Sequence, residues 1–168
     1  MNTLRIVDDN DPLSPRDEDC NFGTIYYSSS RYVLGDKNVS KDEIEALMND
    51  KNVVHLKVYA YIHSGIVLST GAFSCPFDSG MSGIIAISKD KIRESYGVTR
   101  ISKKVMEKVI AGLKAEVETY SKYLSGECYG YEIVDNSGEV VDSCYGFFDR
   151  DDCESEGNSA LRFSNQKA

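Results

Sequence analysis

Between Val53 and His63 the side chains alternate, with Val54, Leu56, Val58, Ala60 and Ile62 on one side and Val53, His55, Lys57, Tyr59, Tyr61 and His63 on the other. A period of two predicts a half-buried strand. The period lengthens further on: Ile101, Val105, Val109, Leu113, Val117, Tyr120 and Leu124 recur at steps of three or four. They predict a helix from about Ser102 to Leu124, stopped at Gly126, with an apolar stripe ~33 Å long at 1.5 Å per residue. Lys103, Lys104, Glu107, Lys108, Lys114, Glu118 and Lys122 fall on its other faces.

Shorter runs fill in the rest. Leu4–Val7, Thr24–Tyr27, Ile66–Leu68 and Ile84–Ile87 read as strands from their apolar and β-branched content. Ser40-Lys-Asp-Glu43 is a capping box opening a short helix through Ile44, Leu47 and Met48 to about Asn49. Ser88 caps a second short helix that Gly97 stops. Glu127–Phe148 reads as a hairpin around Asp135-Asn-Ser-Gly138. Residues 149–168 hold few large apolar side chains, so an acidic, mobile tail is expected after a single domain spanning residues 1–148. The expected fold is α+β: a mostly antiparallel sheet with the long helix packed on one face, plus two short helices.

Composition bounds the class. A chain of 168 residues with 41% hydrophobic and 27% charged residues suits one globular domain. No apolar run approaches the ~20 residues of a membrane span and the N-terminus lacks a signal pattern, so a cytoplasmic protein without a membrane partner is expected. Five cysteines, Cys20, Cys75, Cys128, Cys144 and Cys153, at irregular spacing and without a CxxC pair, argue for reduced thiols and against a zinc cluster.

Charge is uneven. Residues 1–50 carry 11 acidic and 5 basic side chains, residues 51–126 carry 6 and 11, and residues 127–168 carry 10 and 3, within a net charge of −8. Asp8, Asp9, Asp11, Asp17, Glu18 and Asp19 crowd the first block, while Asp149, Asp151, Asp152 and Glu154 crowd the last. This sign disfavours direct contact with a phosphate backbone and favours a basic protein partner. The plainer alternative is that these carboxylates only solvate loops and a tail.

His63–Gly83, HSGIVLSTGAFSCPFDSGMSG, holds four Gly and five Ser between two apolar runs, and a long loop of this kind inside a compact domain invites a functional reading. His63, Ser64, Cys75 and Asp78 include the residue types of a base, a thiol nucleophile and an orienting acid, so the loop is a candidate site. No known catalytic spacing supports a triad, and a structural loop in which Asp78 and the Ser hydroxyls bind backbone amides is the competing reading. Neither GxGxxG nor GxxxxGK[ST] occurs. His55 and His63 lie ~26 Å apart along one strand at 3.3 Å per residue, too far to share an ion, and the Asp8–Asp19 spacing is not that of an EF-hand. No metal and no cofactor is expected. Tyr59 and Tyr61 beside Lys57 make a Tyr-rich strand face suited to protein contact.

Several fragments, PLSPRDEDCNFGT, SRYVLGD, YIHSGIVLSTGAFSCPFDSG and YLSGECYGYEIVDNSGEVVDSCYGFF, occur in a distinctive order. Over residues 12–148 the chain resembles a family of small proteins encoded by phages and other mobile elements of bacteria. That family runs SPR, NLGT, RYxLGD, HSG, FSCPWDSG, a Lys-rich helix, YLxGxxYG and DSCxGF. This chain departs from it with Phe77 for the common Trp, Ile62 where Asp often precedes the His, and Ser29 where His is common. The resemblance implies a bacterial-cytoplasm setting, in which a small acidic protein is similar in type to phage anti-CRISPR and antirestriction inhibitors. It implies a non-enzymatic inhibitor that presents carboxylates to the basic nucleic-acid channel of a host defence nuclease. A small enzyme or ligand binder using the 63–83 loop, and a self-associating phage protein, are the alternatives.

Overall fold

The computed structural model describes residues 1–17, 20–74 and 79–166. The fold is α+β, as the periodicities predict, and the long helix is present. Two features differ from expectation: there are two sheets, and the chain divides into two compact units, Pro15–Ser121 and Met1–Ser14 with Lys122–Ala168. Alternation along a strand reports which side is buried but not which strand lies beside it. The strands near the two ends of the chain pair with each other and so build a core of their own.

The larger unit holds β2 (Thr24–Tyr27), β3 (Lys37–Asn38), α1 (Lys41–Asn49), β4 (Val53–Ile62), β5 (Ile66–Ser69), β6 (Ser79–Ser88), α2 (Lys89–Tyr96) and most of α3 (Lys103–Ser125). Its sheet runs β3-β2-β6-β4-β5, antiparallel except for the parallel β2/β3 pair. Register sets Ile25 opposite Ile85 and Ile85 opposite Leu56, so these side chains share a face with buried Val58, Ala60 and Leu68. The buried stripe of α3, Val109, Leu113 and Val117, covers that face. A Cβ on Gly23 would lie 2.5 Å from Leu113 and 2.8 Å from Ile85, which marks how closely helix and sheet approach. Ser121 completes the contact, its hydroxyl accepting a 2.9 Å bond from the amide of Leu68 on the edge strand β5.

The opposite face carries α1. Ile44 packs with Ile84 and Ala86, and Tyr26, Val39, Leu47, Met48 and Val53 close around them. The capping box forms as the sequence predicts: Glu43 N donates to Ser40 Oγ at 3.2 Å and Ser40 N donates to Glu43 Oε2 at 2.9 Å. Those bonds hold the Glu43 carboxyl below its usual range. Ser88 and Gly97 (φ 61°) cap α2.

The smaller unit holds β1 (Thr3–Asp8), β7 (Tyr129–Val134), β8 (Val140–Phe147) and α4 (Arg150–Gln166), with the sheet ordered β1-β7-β8 and antiparallel throughout. Its hairpin turns where the sequence predicts, with Gly138 at φ 89°. Residues 149–168, read as a mobile tail, correct that reading: Arg150–Gln166 is a helix. Its inward face is Cys153, Gly157, Ala160, Leu161 and Ser164, spaced for a helix but nearly all small, so a search for large apolar residues misses it. Small residues let α4 lie close on the sheet. Asn2 ties down its far end, donating to Ser164 Oγ at 2.7 Å and to Asn165 Oδ1 at 2.9 Å.

Gly157 fixes the distance between helix and sheet, because a Cβ there would sit 2.6 Å from Leu4 Cδ1 and 3.1 Å from Tyr131 Cβ. Gly157→Val is expected to cost about 1–3 kcal/mol by overpacking. Urea denaturation followed by far-ultraviolet circular dichroism checks this; an unchanged midpoint would show that α4 does not pack as described.

Candidate functional site

The two acidic runs, separated by most of the chain, meet at one end of the smaller unit. Asp8 lies opposite Tyr129, which lies opposite Phe147, and α4 begins three residues beyond. Asp9 ties the first run to the strand that leads into the second: its amide donates to Cys128 O at 2.8 Å, and its Oδ2 accepts from Gly146 N at 3.1 Å. Asp8, Asp9, Asp11, Asp149, Asp151 and Asp152 thus surround the last rung of one sheet. Strands ~4.8 Å apart place β1 and β8 about 10 Å from each other, close to the ~8 Å Debye length at physiological salt, so these carboxylates act as one field.

Within the cluster the carboxylates divide by job. Asp149 accepts from the amides of Asp151 at 2.9 Å and Asp152 at 3.3 Å, capping α4, and pairs with Lys122 at 3.4 Å. The capping bonds first, and Lys122 after them, hold its carboxyl below the ordinary range. Asp9 holds Gly146 and the Asp11 amide at 3.2 Å. Asp8, Asp11, Asp151 and Asp152 are exposed. Glu154 pairs with Arg150 at 3.3 Å, and the Arg150 guanidinium lies 6.0 Å from the Tyr129 ring centre. Cys128, buried at the same end, has its thiol pushed up by burial and then by Asp9 and Glu127, which disfavours a thiolate there.

The partition of charge is sharper than sequence blocks suggest. The smaller unit contains 13 acidic and 5 basic residues, the larger 14 of each, so the whole net charge of −8 belongs to the smaller unit. Asp17 is exposed but lies in the larger unit. Glu18 and Asp19 lie outside the described residues.

The His63–Gly83 stretch is a loop only in part. His63–Gly65 is the turn between β4 and β5, with His63 N donating to Gly65 O at 3.2 Å, and β6 already starts at Ser79. His63 and Ser64 are exposed; the His63 ring centre is 6.3 Å from that of Tyr61, which is 5.9 Å from that of Phe73. Cys75 and Asp78 lie outside the described residues. Tyr59 and Tyr61 are half-buried on the α1 face of the sheet, where Tyr59 lies opposite Met81. Met81, Ile44 and Met48 line a groove of about 400 Å³ with Lys41 and Lys57 at its rim. Among the described residues no group of three or more His, Cys, Asp or Glu is placed to hold a metal ion, and no helix is long and apolar enough to cross a membrane.

Sequence reasoning missed one constellation. The SPR, NFGT and LGD fragments converge on Arg16, whose side chain is 6% exposed. Its Nε and Nη2 donate to Asp36 at 2.9 and 2.6 Å, Nη1 to Asn21 Oδ1 at 2.9 Å and Glu116 at 2.7 Å, and Nη2 also to Gly23 O at 2.8 Å. Glu116, on α3, further accepts from the Phe22 amide at 2.7 Å, and Asp36 from the Ile25 amide at 2.7 Å. All five guanidinium donors are used internally, which makes this a structural clamp. The guanidinium is raised above its ordinary value because its bonds to Asp36 and Glu116 outweigh burial, the largest single influence and an opposing one.

Comparison with protein-family models, with curated proteins and with solved structures finds no match to this chain.

Arg16→Met leaves Asp36 and Glu116 without their cation and, since both carboxylates keep some contact with water, is expected to cost about 1–3 kcal/mol, less than a fully buried pair. Arg16→Lys restores the charge but not the planar fork, so urea denaturation should place it between the two; equal stability of the Lys variant and the unaltered protein would contradict the clamp. At Asp149 the folded carboxyl titrates below the unfolded value of about 3.9. Its contribution is therefore complete above that value and lost as pH falls through the lower folded one. Helicity should decline below about pH 4, and Asp149→Asn, which keeps a capping oxygen without titrating, should flatten the decline. An identical acid profile for this variant would remove Asp149 from the cap.

Proposed function

We propose that this protein works by binding, stoichiometrically, a cationic surface of another protein through the acidic end of its smaller unit. The observation supporting this is the convergence of residues 8–11 and 149–152 on one rung of one sheet, in the unit that holds the entire net charge. Opposite potentials speed encounter and fix orientation. A cationic surface that is itself built to hold phosphates is the natural complement, so the protein competes with nucleic acid for it. On the resemblance to phage and mobile-element proteins, the partner we propose is a host defence nuclease, and the outcome we propose is blockade of its nucleic-acid binding or activation.

Exposed Asp8, Asp11, Asp151 and Asp152 can be altered without disturbing the cap at Asp149 or the tie at Asp9. The quadruple change to Asn should slow association with a captured nuclease about tenfold or more at low salt and flatten its salt dependence, as expected when steering charges are removed. Stopped-flow or surface-plasmon measurements at 50 and 300 mM salt check this, with displacement of labelled DNA from the nuclease as the functional readout. Unaltered association by the quadruple variant at low ionic strength would take the acidic end out of the mechanism.

A further inference from the structure

The smaller unit presents a second feature that the acidic end does not use. β8 is the edge of its sheet, and every residue from Val140 to Gly146 is exposed, including Val140 at 47%, Val141 at 51% and Tyr145 at 47%. Edge strands of stable monomers are usually blunted by Lys or other charged side chains, by Pro or by β-bulges. β8, VVDSCYGF, has no Lys and no Pro, and Asp142 is its one charged residue. Register shifts at both ends, between Tyr129 and Gly130 and between Ile133 and Val134, bend the strand but leave Asp142–Tyr145 in regular register against Gly130–Ile133. In such a run every second amide and carbonyl points away from β7.

This regular stretch is held firmly. Tyr145 lies over Gly130, where a Cβ would come within 2.2 Å of its ring, and its hydroxyl donates to Glu132 Oε1 at 2.6 Å. Arg5 donates to Glu132 from the other side at 2.8 Å. The strand's surroundings are anionic: Asp142 lies within it, Glu139 precedes it, and Asp9 and Asp149 stand at its far end. No basic residue lies on it.

Building on the acidic reading above, we propose that β8 is a docking edge that accepts a short extended segment of the partner as a fourth strand, that segment alternating Lys or Arg with β-branched or aromatic residues. Main-chain bonds to the edge supply affinity, Val141 and Tyr145 receive the apolar side chains, and the surrounding carboxylates select a basic strand over a neutral one. Two copies of this chain pairing through β8 would bring acidic units together, which the charge opposes.

Two synthetic six-residue peptides of equal charge test this on the intact protein, one alternating Lys with Val and one alternating Lys with Gly. The Lys-Val peptide should bind at least tenfold more tightly and slow hydrogen exchange at alternate amides of Asp142–Tyr145, read by nuclear magnetic resonance. Equal binding of both peptides without amide protection would overturn the docking edge while leaving the acidic reading intact. Binding of neither, or protection of the β8 amides by concentration-dependent dimerisation alone, would overturn the edge proposal as well. Ser143→Lys, checked for unchanged melting, should abolish the Lys-Val preference; retention of the preference would likewise count against it.

Discussion

A single guanidinium organises the larger unit. Arg16 draws together the loop that follows the smaller unit's first strand, the turn before β3 and the middle of α3, using Asp36, Asn21, the Gly23 carbonyl and Glu116 as acceptors. Removing the guanidinium would leave two partly screened carboxylates without their cation, so the arrangement is conditional on this one residue. It also explains why Gly23 stands where it does: with Leu113 and Ile85 2.5 and 2.8 Å from its missing Cβ, only a bare backbone lets the loop reach the guanidinium over the sheet.

The same residue types serve opposite ends in the two units. In the larger unit carboxylates such as Asp36 and Glu116 are spent internally, and the unit as a whole is balanced. In the smaller unit Asp9 and Asp149 are structural while Asp8, Asp11, Asp151 and Asp152 are left facing outward. An excess of eight negative charges on so small a body opposes its own compactness, which α4 and the β1–β7 pairing must overcome. A field retained against that cost, beside an exposed edge strand, is the physical basis for proposing this unit as the one that meets a partner.

Much of the fold was legible in the sequence because its signals are local. The capping box at Ser40, the stop at Gly97, the period of two in β4 and the stripe of α3 each follow from neighbours within a turn or two. What was not legible is what depends on distant partners. β1 belongs with β7, which splits the expected single sheet in two, and α4 escaped notice because Cys153, Gly157 and Ala160 are too small to register as an apolar face. Nothing in the helical pattern distinguishes Glu116 from other polar positions of α3; its role depends on Arg16 and the Phe22 amide, about a hundred residues away in sequence. The acidic site was half legible: both runs stand out in composition, but their meeting at the Asp8–Tyr129–Phe147 rung is a matter of register. Asp17 belongs to the larger unit. Of the loop residues singled out for chemistry, His63 and Ser64 occupy an exposed hairpin turn.

The central claim is that the negative potential is confined to the smaller unit and is available at its surface. Paramagnetic relaxation of backbone amides by a cationic nitroxide, referenced to a neutral nitroxide of the same size, measures that potential residue by residue. The account predicts an excess effect of the cationic probe centred on residues 8–11 and 149–152, with little in residues 15–121. An excess spread evenly over both units would contradict it.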